Sequence, residues 1–315
     1  MIIVDREVGP DPPSSGDALS FGPIFEQAAT AIFCLDLDGQ VLDANSAAEA
    51  LMGYRAEDLR GRLFVDLLVR EDIDPELIGS LARGRIETFK LECRYIHQDG
   101  TKRYSLCAAS LVRGHDSRPR FVFVVVEDIT QLKIHQRFLE YQALHDSLTE
   151  LPNRLLLEDR FQQSFEASQR DGRSLGLLLM DLDGFKSIND RLGHKTGDYV
   201  LQQVANRVRS VVRASDTVAR LGGDEFAILQ AAVPGRGAAE VMATKILSVL
   251  SDPIAVAGES LRVSASVGIA MAPEDGVNIE TLMRGADLAM YAAKSKGGGY
   301  SFSSGGHQDA GERDS

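Results

Sequence analysis

The chain has 315 residues, 44% hydrophobic and 25% charged, enough for two ordinary globular domains. A formal net charge of −12 excludes a reader of DNA or RNA phosphate backbones, so any nucleotide must be held by a local site. No apolar run approaches the ~18 residues of a membrane span, the N-terminus lacks signal-peptide order, and Cys34, Cys93 and Cys107 sit in apolar runs without metal-ligand spacing; a cytoplasmic protein with buried free thiols is predicted.

Residues 1–17 are rich in Pro, Ser and Gly and predict a flexible N-terminus. Ordered patterning begins near Phe21 and defines a first domain over 18–128. Ala31 to Leu35 and Gln40 to Ala44 read as strands about an Asp38-Gly39 turn. Asn45 to Leu51 reads as a helix stopped by Gly53. Three further strands are predicted over Thr88 to Ile96, Lys102 to Val112 and Phe121 to Val126. His97 and His115 fall in loops and are expected to be solvated. Ile129 to Leu144 lacks Gly and Pro and reads as one helix, with Leu132 and Leu139 seven apart; the connector is assigned to 129–145.

The order of Asp38-Gly39, Asn45, Gly53-Tyr54, Asp99-Gly100-Thr101 and Asp128-Ile129-Thr130 resembles a PAS sensor domain. The resemblance implies an antiparallel sheet and makes Asp128 and Thr130 the coupling residues, clamping the sheet to the outgoing helix. Thr130 equally has the chemistry of a plain helix N-cap. The ligand of such a domain is not named by the sequence. No histidine lies between Asp66 and Leu81, which argues against haem, and no cysteine stands in a helical Asn-Cys-Arg context, which argues against a photoreactive flavin. As the outgoing helix of such a sensor domain, the connector is expected to be a parallel dimer stalk; the alternative is a helix packed on its own domain.

The second domain, 146–303, opens with Asp146-Ser147-Leu148-Thr149-Glu150-Leu151-Pro152-Asn153-Arg154, a turn that restarts a helix from Asn153 to about Arg170. Ser174 to Met180 is a fully apolar strand ending in Asp181-Leu182-Asp183-Gly184-Phe185-Lys186. An acid at a strand end, followed by a helix N-terminus, suits a phosphate–cation complex. Thr196 to Val212 reads as an amphipathic helix, and Arg220-Leu221-Gly222-Gly223-Asp224-Glu225-Phe226-Ala227-Ile228-Leu229 as a hairpin with acids at its tip. Ala239 to Leu250 is a predicted helix, Leu261 to Met271 a strand and Leu282 to Lys294 the last helix; residues 304–315 are expected to be disordered.

These motifs together resemble the diguanylate cyclase (GGDEF) family. The resemblance implies an α+β fold, a central sheet flanked by helices of the nucleotidyl-cyclase and polymerase-palm kind, and the condensation of two GTP into cyclic di-GMP and two pyrophosphates by a homodimer. It assigns Mg²⁺ or Mn²⁺ to Asp181, the Leu182 carbonyl, Asp224 and Glu225, with Asp224 as candidate general base. It places phosphates on Gly184, Phe185, Lys186 and Lys294 beside the Gly222-Gly223 turn, and guanine on Asn189 and Asp198. His194 is either a substrate contact or a structural histidine. Arg213 and Asp216 match an inhibitory product site, and as a bare pattern fit a surface ion pair. The chain departs from the family where Gly-Arg-Asn is common and Gly297-Gly298-Gly299 stands instead, losing a cationic phosphate contact. The rival class is a catalytically silent module that binds GTP or cyclic di-GMP as a receptor. A third reading makes the chain part of a larger protein with a phosphodiesterase domain. No nucleic-acid or membrane partner is expected.

Overall fold

A computed structural model describes residues 21–114, 116–256 and 259–304. The expected flexible N-terminus, the loop at His115 and, apart from Ser304, the expected tail over 304–315 lie outside the described residues. The chain divides between Phe138 and Leu139 into two compact units.

The first unit runs α1 (Phe21–Gln27), β1 (Ala31–Leu35), β2 (Val41–Ala44), α2 (Ser46–Met52), α3 (Ala56–Leu59), two 3₁₀ turns, α4 (Pro75–Ala82), β3 (Thr88–Ile96), β4 (Lys102–Arg113) and β5 (Pro119–Asp128), then enters α5 (Thr130–Leu144). The five strands form an antiparallel sheet of order β2-β1-β5-β4-β3. Its inner face alternates with its outer face because side chains repeat every two residues, and Phe33, Cys93, Tyr95, Cys107 and Val124 join Met52 and Leu59 of the helices in one core.

Asn45 organises the start of this unit. It is fully buried and caps α2, its Oδ1 accepting from Ala48 N (3.0 Å) and Ile32 N (2.9 Å). Its amide donates to the carbonyls of Phe25 and Thr30, both at 3.0 Å. Asn45→Ala removes the cap and strands these backbone groups, so a loss of about 2 kcal/mol is expected. Denaturant unfolding of the full chain measures it, and an unchanged midpoint would show that water replaces the amide. The expectation that His97 is solvated is corrected: its side chain is 18% exposed, and its ring lies over Gly53, where a Cβ would come within 2.6 Å of Nε2. Gly53 thus both ends α2 and makes room for the ring.

The second unit continues with α6 (Arg154–Asp171), β6 (Ser174–Leu182), α7 (Phe185–Leu192), α8 (His194–Val211), β7 (Thr217–Gly222), β8 (Glu225–Val233), α9 (Arg236–Ser251), β9 (Ile254–Val256), β10 (Glu259–Leu261), β11 (Ala265–Ala272), α10 (Ile279–Ser295) and β12 (Gly299–Phe302). The main sheet has order β12-β11-β6-β8-β7; only the β11–β12 pair is parallel. The apolar run of β6 is central and buried on both faces. Leu178, Met180 and Leu182 pack with α7, α8 and α9, while Leu175, Leu177 and Leu179 pack with α6 and α10.

The strand expected from Leu261 begins instead at Ala265. Leu261 ends a separate two-stranded ribbon with β9, and the backbone between them turns so that Ser264 O accepts from Asp183 N at 2.9 Å. The glycine in Ser266-Val267-Gly268 is a packing residue: a Cβ there would lie 1.9 Å from Ala286 O of α10. That close approach seats the last helix on the sheet and aims its C-terminal end at the end of β6.

Candidate active site

The antiparallel pairing of β6 and β8 sets Asp181 directly opposite Glu225, with Met180 opposite Phe226. Opposed residues share a face and keep their Cβ atoms ~5 Å apart, here the α6/α10 face. The β7–β8 turn uses Gly222 and Gly223 at φ +146° and +52°, which presents Asp224 beside the end of β6; Leu182 N donates to Asp224 O at 3.4 Å. Burial first, then the Asp181 charge, push the Asp224 carboxyl above its usual range, against the opposing pull of Lys294 and Arg220. Lys294, from the last turn of α10, places Nζ 2.5 Å from Asp181 Oδ1, and that hydrogen bond raises its own pKa.

The turn after β6 is held by Ser266 Oγ donating to Asp183 Oδ1 at 2.8 Å. Gly184 then starts α7 in the left-handed region without a side-chain cap, leaving the first-turn amides near Phe185 and Lys186 for an anion. Phe185 is buried and Lys186 exposed. Asn189 packs against Gly197 of α8, and its Oδ1 is buried without a hydrogen-bond partner. His194 and Asp198 are exposed on the first turns of α8. Buried polar atoms are nearly always paired; this oxygen, enclosed against Gly197, is an exception.

Among the described residues no three His, Cys, Asp or Glu side chains converge into a ready-made metal cage. Asp181 and Asp224 interact through their charges, while Glu225 also lines a cavity of about 330 Å³ with Arg154, Arg284 and Asp287. The donors around Asp181, Asp224 and the Leu182 carbonyl are all oxygens. That chemistry fits Mg²⁺ or Mn²⁺; Mg²⁺ normally takes one or two carboxylates and fills the remainder with water and substrate phosphates.

Several groups escaped the reading of the sequence. Arg220 Nη1 contacts both carboxylate oxygens of Asp146 at 2.9 and 3.0 Å, while its Nε and Nη2 donate to Gly223 O at 3.0 and 2.7 Å. The pair is mostly buried, with side chains 10% and 21% exposed. It ties the opening turn of the unit to the acidic hairpin. Burial alone would raise the Asp146 carboxyl, but hydrogen bonds from Thr149 and Arg220 hold it below the usual value. The motif residues are legible as a set, yet their 74-residue separation conceals the contact.

Arg213 and Asp216 lie between α8 and β7. Asp216 turns inward, its oxygens accepting from Arg213 N (3.1 Å) and Ala231 N (3.3 Å), while Arg213 is exposed. They border a groove of about 670 Å³ that Arg160, Arg209 and His145 also line. In the first unit, Asp128 Oδ1 accepts from Thr130 N at 2.7 Å and its Oδ2 from Tyr95 OH at 2.8 Å. Thr130 Oγ1 accepts from Tyr104 N at 2.9 Å. The segment therefore caps α5 and bonds to β4 at once, with Tyr95 an added member; burial, then the Asp128 bond, push its phenol up to about 12.

The family model for the diguanylate cyclase GGDEF domain matches residues 143–299, and that for the PAS fold matches 23–129. The chain belongs to the GGDEF diguanylate cyclase family and carries a PAS domain ahead of the GGDEF domain. It is 49% identical over 174 residues to the bifunctional diguanylate cyclase/cyclic di-GMP phosphodiesterase MucR of Pseudomonas aeruginosa, covering 55% of this chain and 25% of that protein. It is 44% identical over 157 residues to diguanylate cyclase TpbB of Pseudomonas aeruginosa, covering 50% and 36%. The solved coiled coil and GGDEF domain of DgcB from Caulobacter crescentus, in complex with c-di-GMP, is 26% identical with a TM-score of 0.51, covering 55% of this chain and 93% of that one. The chain thus spans about a quarter to a third of the length of these curated relatives. No helix among the described residues is long and apolar enough to cross a membrane.

Proposed function

We propose that this chain is a diguanylate cyclase that condenses two GTP into cyclic di-GMP with release of two pyrophosphates. The observation that carries the reading is the Asp181–Glu225 rung, with Asp224 pushed toward its neutral form by burial and by Asp181 beside it. Such a site gains from a cation and from the phosphates it brings. Asp181, Asp224, Glu225 and the Leu182 carbonyl would hold Mg²⁺ or Mn²⁺, which supplies charge neutralisation at the α-phosphoryl group and makes the attacking hydroxyl more acidic.

The chain's own residues do the positioning. First-turn amides of α7 and the Lys186 ammonium hold phosphate oxygens, and Lys294 exchanges its bond to Asp181 for the same charge. Asp198 offers a carboxylate to the N1–H and N2–H₂ edge of guanine, and the Asn189 amide has the donor for guanine's O6/N7 acceptor face. Asp224, once ionised, takes the proton from the 3′-hydroxyl. One site holds one GTP, so each attack comes from a facing copy and the working species is a two-fold dimer. The apolar side chains of Leu132, Ile134, Phe138 and Leu139, each more than half exposed on α5, support that helix as the dimer stalk. Regulation by the PAS domain then acts on how often the two sites meet, through Asp128 and Thr130.

Incubation of the full chain with GTP and Mg²⁺ or Mn²⁺, resolved by chromatography, tests the reading. Cyclic di-GMP should form and disappear in Asp224→Ala. Tight GTP or cyclic di-GMP binding without turnover would establish the receptor reading, which the loss of the family arginine at Gly298 favours. Product inhibition is expected to require Arg213, the exposed cation of its groove. Arg213→Ala should raise the inhibitory concentration of cyclic di-GMP at least ~10-fold while leaving turnover intact. Equal inhibition of both chains would remove this assignment.

A further inference from the structure

The core of the first unit contains a pair of thiols that the proposed cyclase reaction does not use. Cys93 of β3 and Cys107 of β4 are each 3% exposed, on the inner face of adjacent strands, with Sγ atoms 3.5 Å apart. The ladder pairs Cys93 with Ser105 and Leu91 with Cys107, so the two sulfurs meet diagonally across one rung step. The Ser105 hydroxyl, also fully buried, lies 3.5 Å from one sulfur and 3.6 Å from the other. All three cysteines are free, and Cys34 is buried elsewhere, on β1.

We propose that Cys93 and Cys107 form a peroxide-reactive dithiol that closes to a disulfide and reports the event to the start of α5. A disulfide needs the sulfurs at about 2.05 Å and the Cα atoms within ~7 Å, whereas diagonal cross-strand neighbours stand ~7–8 Å apart, so closure moves the sulfurs by roughly 1.5 Å and draws the two strands' backbones together. Access is through the interior. Cys107, though not Cys93, lines an apolar cavity of about 60 Å³ with Leu68, Leu81 and Val124, several times the ~10–15 Å³ that one water requires, so a peroxide there meets Cys107 directly and Cys93 across the 3.5 Å sulfur–sulfur contact. The sulfur–sulfur hydrogen bond holds the Cys93 thiol below its usual pKa and drives that of Cys107 up, which favours one thiolate within the pair.

The chemistry balances with a hydroperoxide as oxidant. The pair's thiolate attacks one peroxide oxygen, breaking the O–O bond and releasing hydroxide, and leaves a sulfenic acid. The second thiol's sulfur displaces the sulfenic oxygen as water. The hydroxide takes the proton first lost by the thiol, so two thiols give up two electrons and two protons, and hydrogen peroxide becomes two waters.

The route outward is short. Ser105, opposite Cys93 on one side, is opposite Asp128 of β5 on the other. Tyr95, two residues from Cys93 on the same face, donates its hydroxyl to that carboxylate. Asp128 in turn accepts from Thr130 N at the first residue of α5. A contraction at Cys93 therefore bears on both groups that hold the helix.

The test uses the reduced full chain and dilute hydrogen peroxide, with free thiols counted after denaturation and cross-linked peptides read by mass spectrometry. Free thiols should fall from three to one, with a Cys93–Cys107 cross-link that dithiothreitol reverses; Cys34→Ala should fall from two to none. Cys93→Ala and Cys107→Ala should form no intramolecular bridge. Three persisting thiols, or a bridge through Cys34, overturn the site. Amide hydrogen exchange over 130–144 should differ between oxidised and reduced wild-type chain. An unchanged pattern with the bridge formed overturns the coupling. These readouts need no GTP turnover, so they stand apart from the cyclase proposal.

Discussion

Asp224→Asn is expected to reduce cyclic di-GMP formation by ~10³-fold or more, because it removes a preorganised charge at the reacting centre. The same substitution should leave thermal stability unchanged or slightly raised, since burial and the Asp181 charge already disfavour the ionised form of Asp224 in the fold. The sign follows from linkage: an acid whose pKa is raised by folding binds its proton more tightly when folded, so ionisation at neutral pH opposes stability. Cation binding requires the ionised acid and competes with that proton. Apparent Mg²⁺ affinity should accordingly weaken as pH falls toward the raised Asp224 value. Initial rates from pH 5 to 8 at several Mg²⁺ concentrations, with melting curves of both chains, check the prediction. A variant that loses activity because it melts early would count against a catalytic role.

Arg220→Ala has its largest effect on the fold. One guanidinium holds Asp146 and the Gly223 carbonyl, and the pair is mostly buried. Removing one partner leaves a carboxylate uncompensated, so a loss of about 3 kcal/mol is expected, or roughly 6–12 °C in the melting temperature of a domain this size. The Asp146 pKa is lowered in the fold, so its stabilising contribution is complete above the unfolded value of about 3.9 and is lost as pH falls through the folded value. The wild-type chain should thus show an acid loss of stability that Arg220→Ala has largely surrendered at neutral pH. Asp146→Asn should recover part of the loss in the Arg220→Ala chain, because it neutralises the stranded carboxylate. Additive losses in that double-mutant cycle would show that the two side chains act separately.

The parts of the fold that local chemistry dictates were readable from the chain. Alternation located β3, β4 and β5, Asn45 and Gly53 bounded α2, and the double glycine marked the β7–β8 turn. The ribbon of β9 and β10 is hidden in the sequence because Leu261, Val263 and Ala265 alternate with Arg262, Ser264 and Ser266 and run on into Val267, so that Leu261 and Ala265 look like one strand. At the site, residue types at motif spacing named Asp181, Asp224 and Glu225, but pairing across the sheet was needed to put Asp181 opposite Glu225. Lys294 lies 113 residues from the acid it contacts, and no local pattern encodes that bond. For Asp216 the sequence offers an inhibitory product site or a surface ion pair, and the structure adds that its oxygens bond two backbone amides; the chain alone gives the charge and not its direction. Tyr95 went unremarked because an aromatic in an alternating strand looks like ordinary core.

Gly297, Gly298 and Gly299, which lead into β12, have φ values of +93°, +105° and +93°. An L-residue at any of them would be forced into a region costing about 1–3 kcal/mol, even though Gly298 has only Asp183 near it, at 3.6 Å. The missing cation is therefore not a gap that one codon change refills: Gly298→Arg must first bend this backbone into another path. If the proposed cyclase reading holds, Lys294 and Lys186 are then the cations left to meet the substrate's phosphates, and a restored arginine would have to reshape the chain before it could join them.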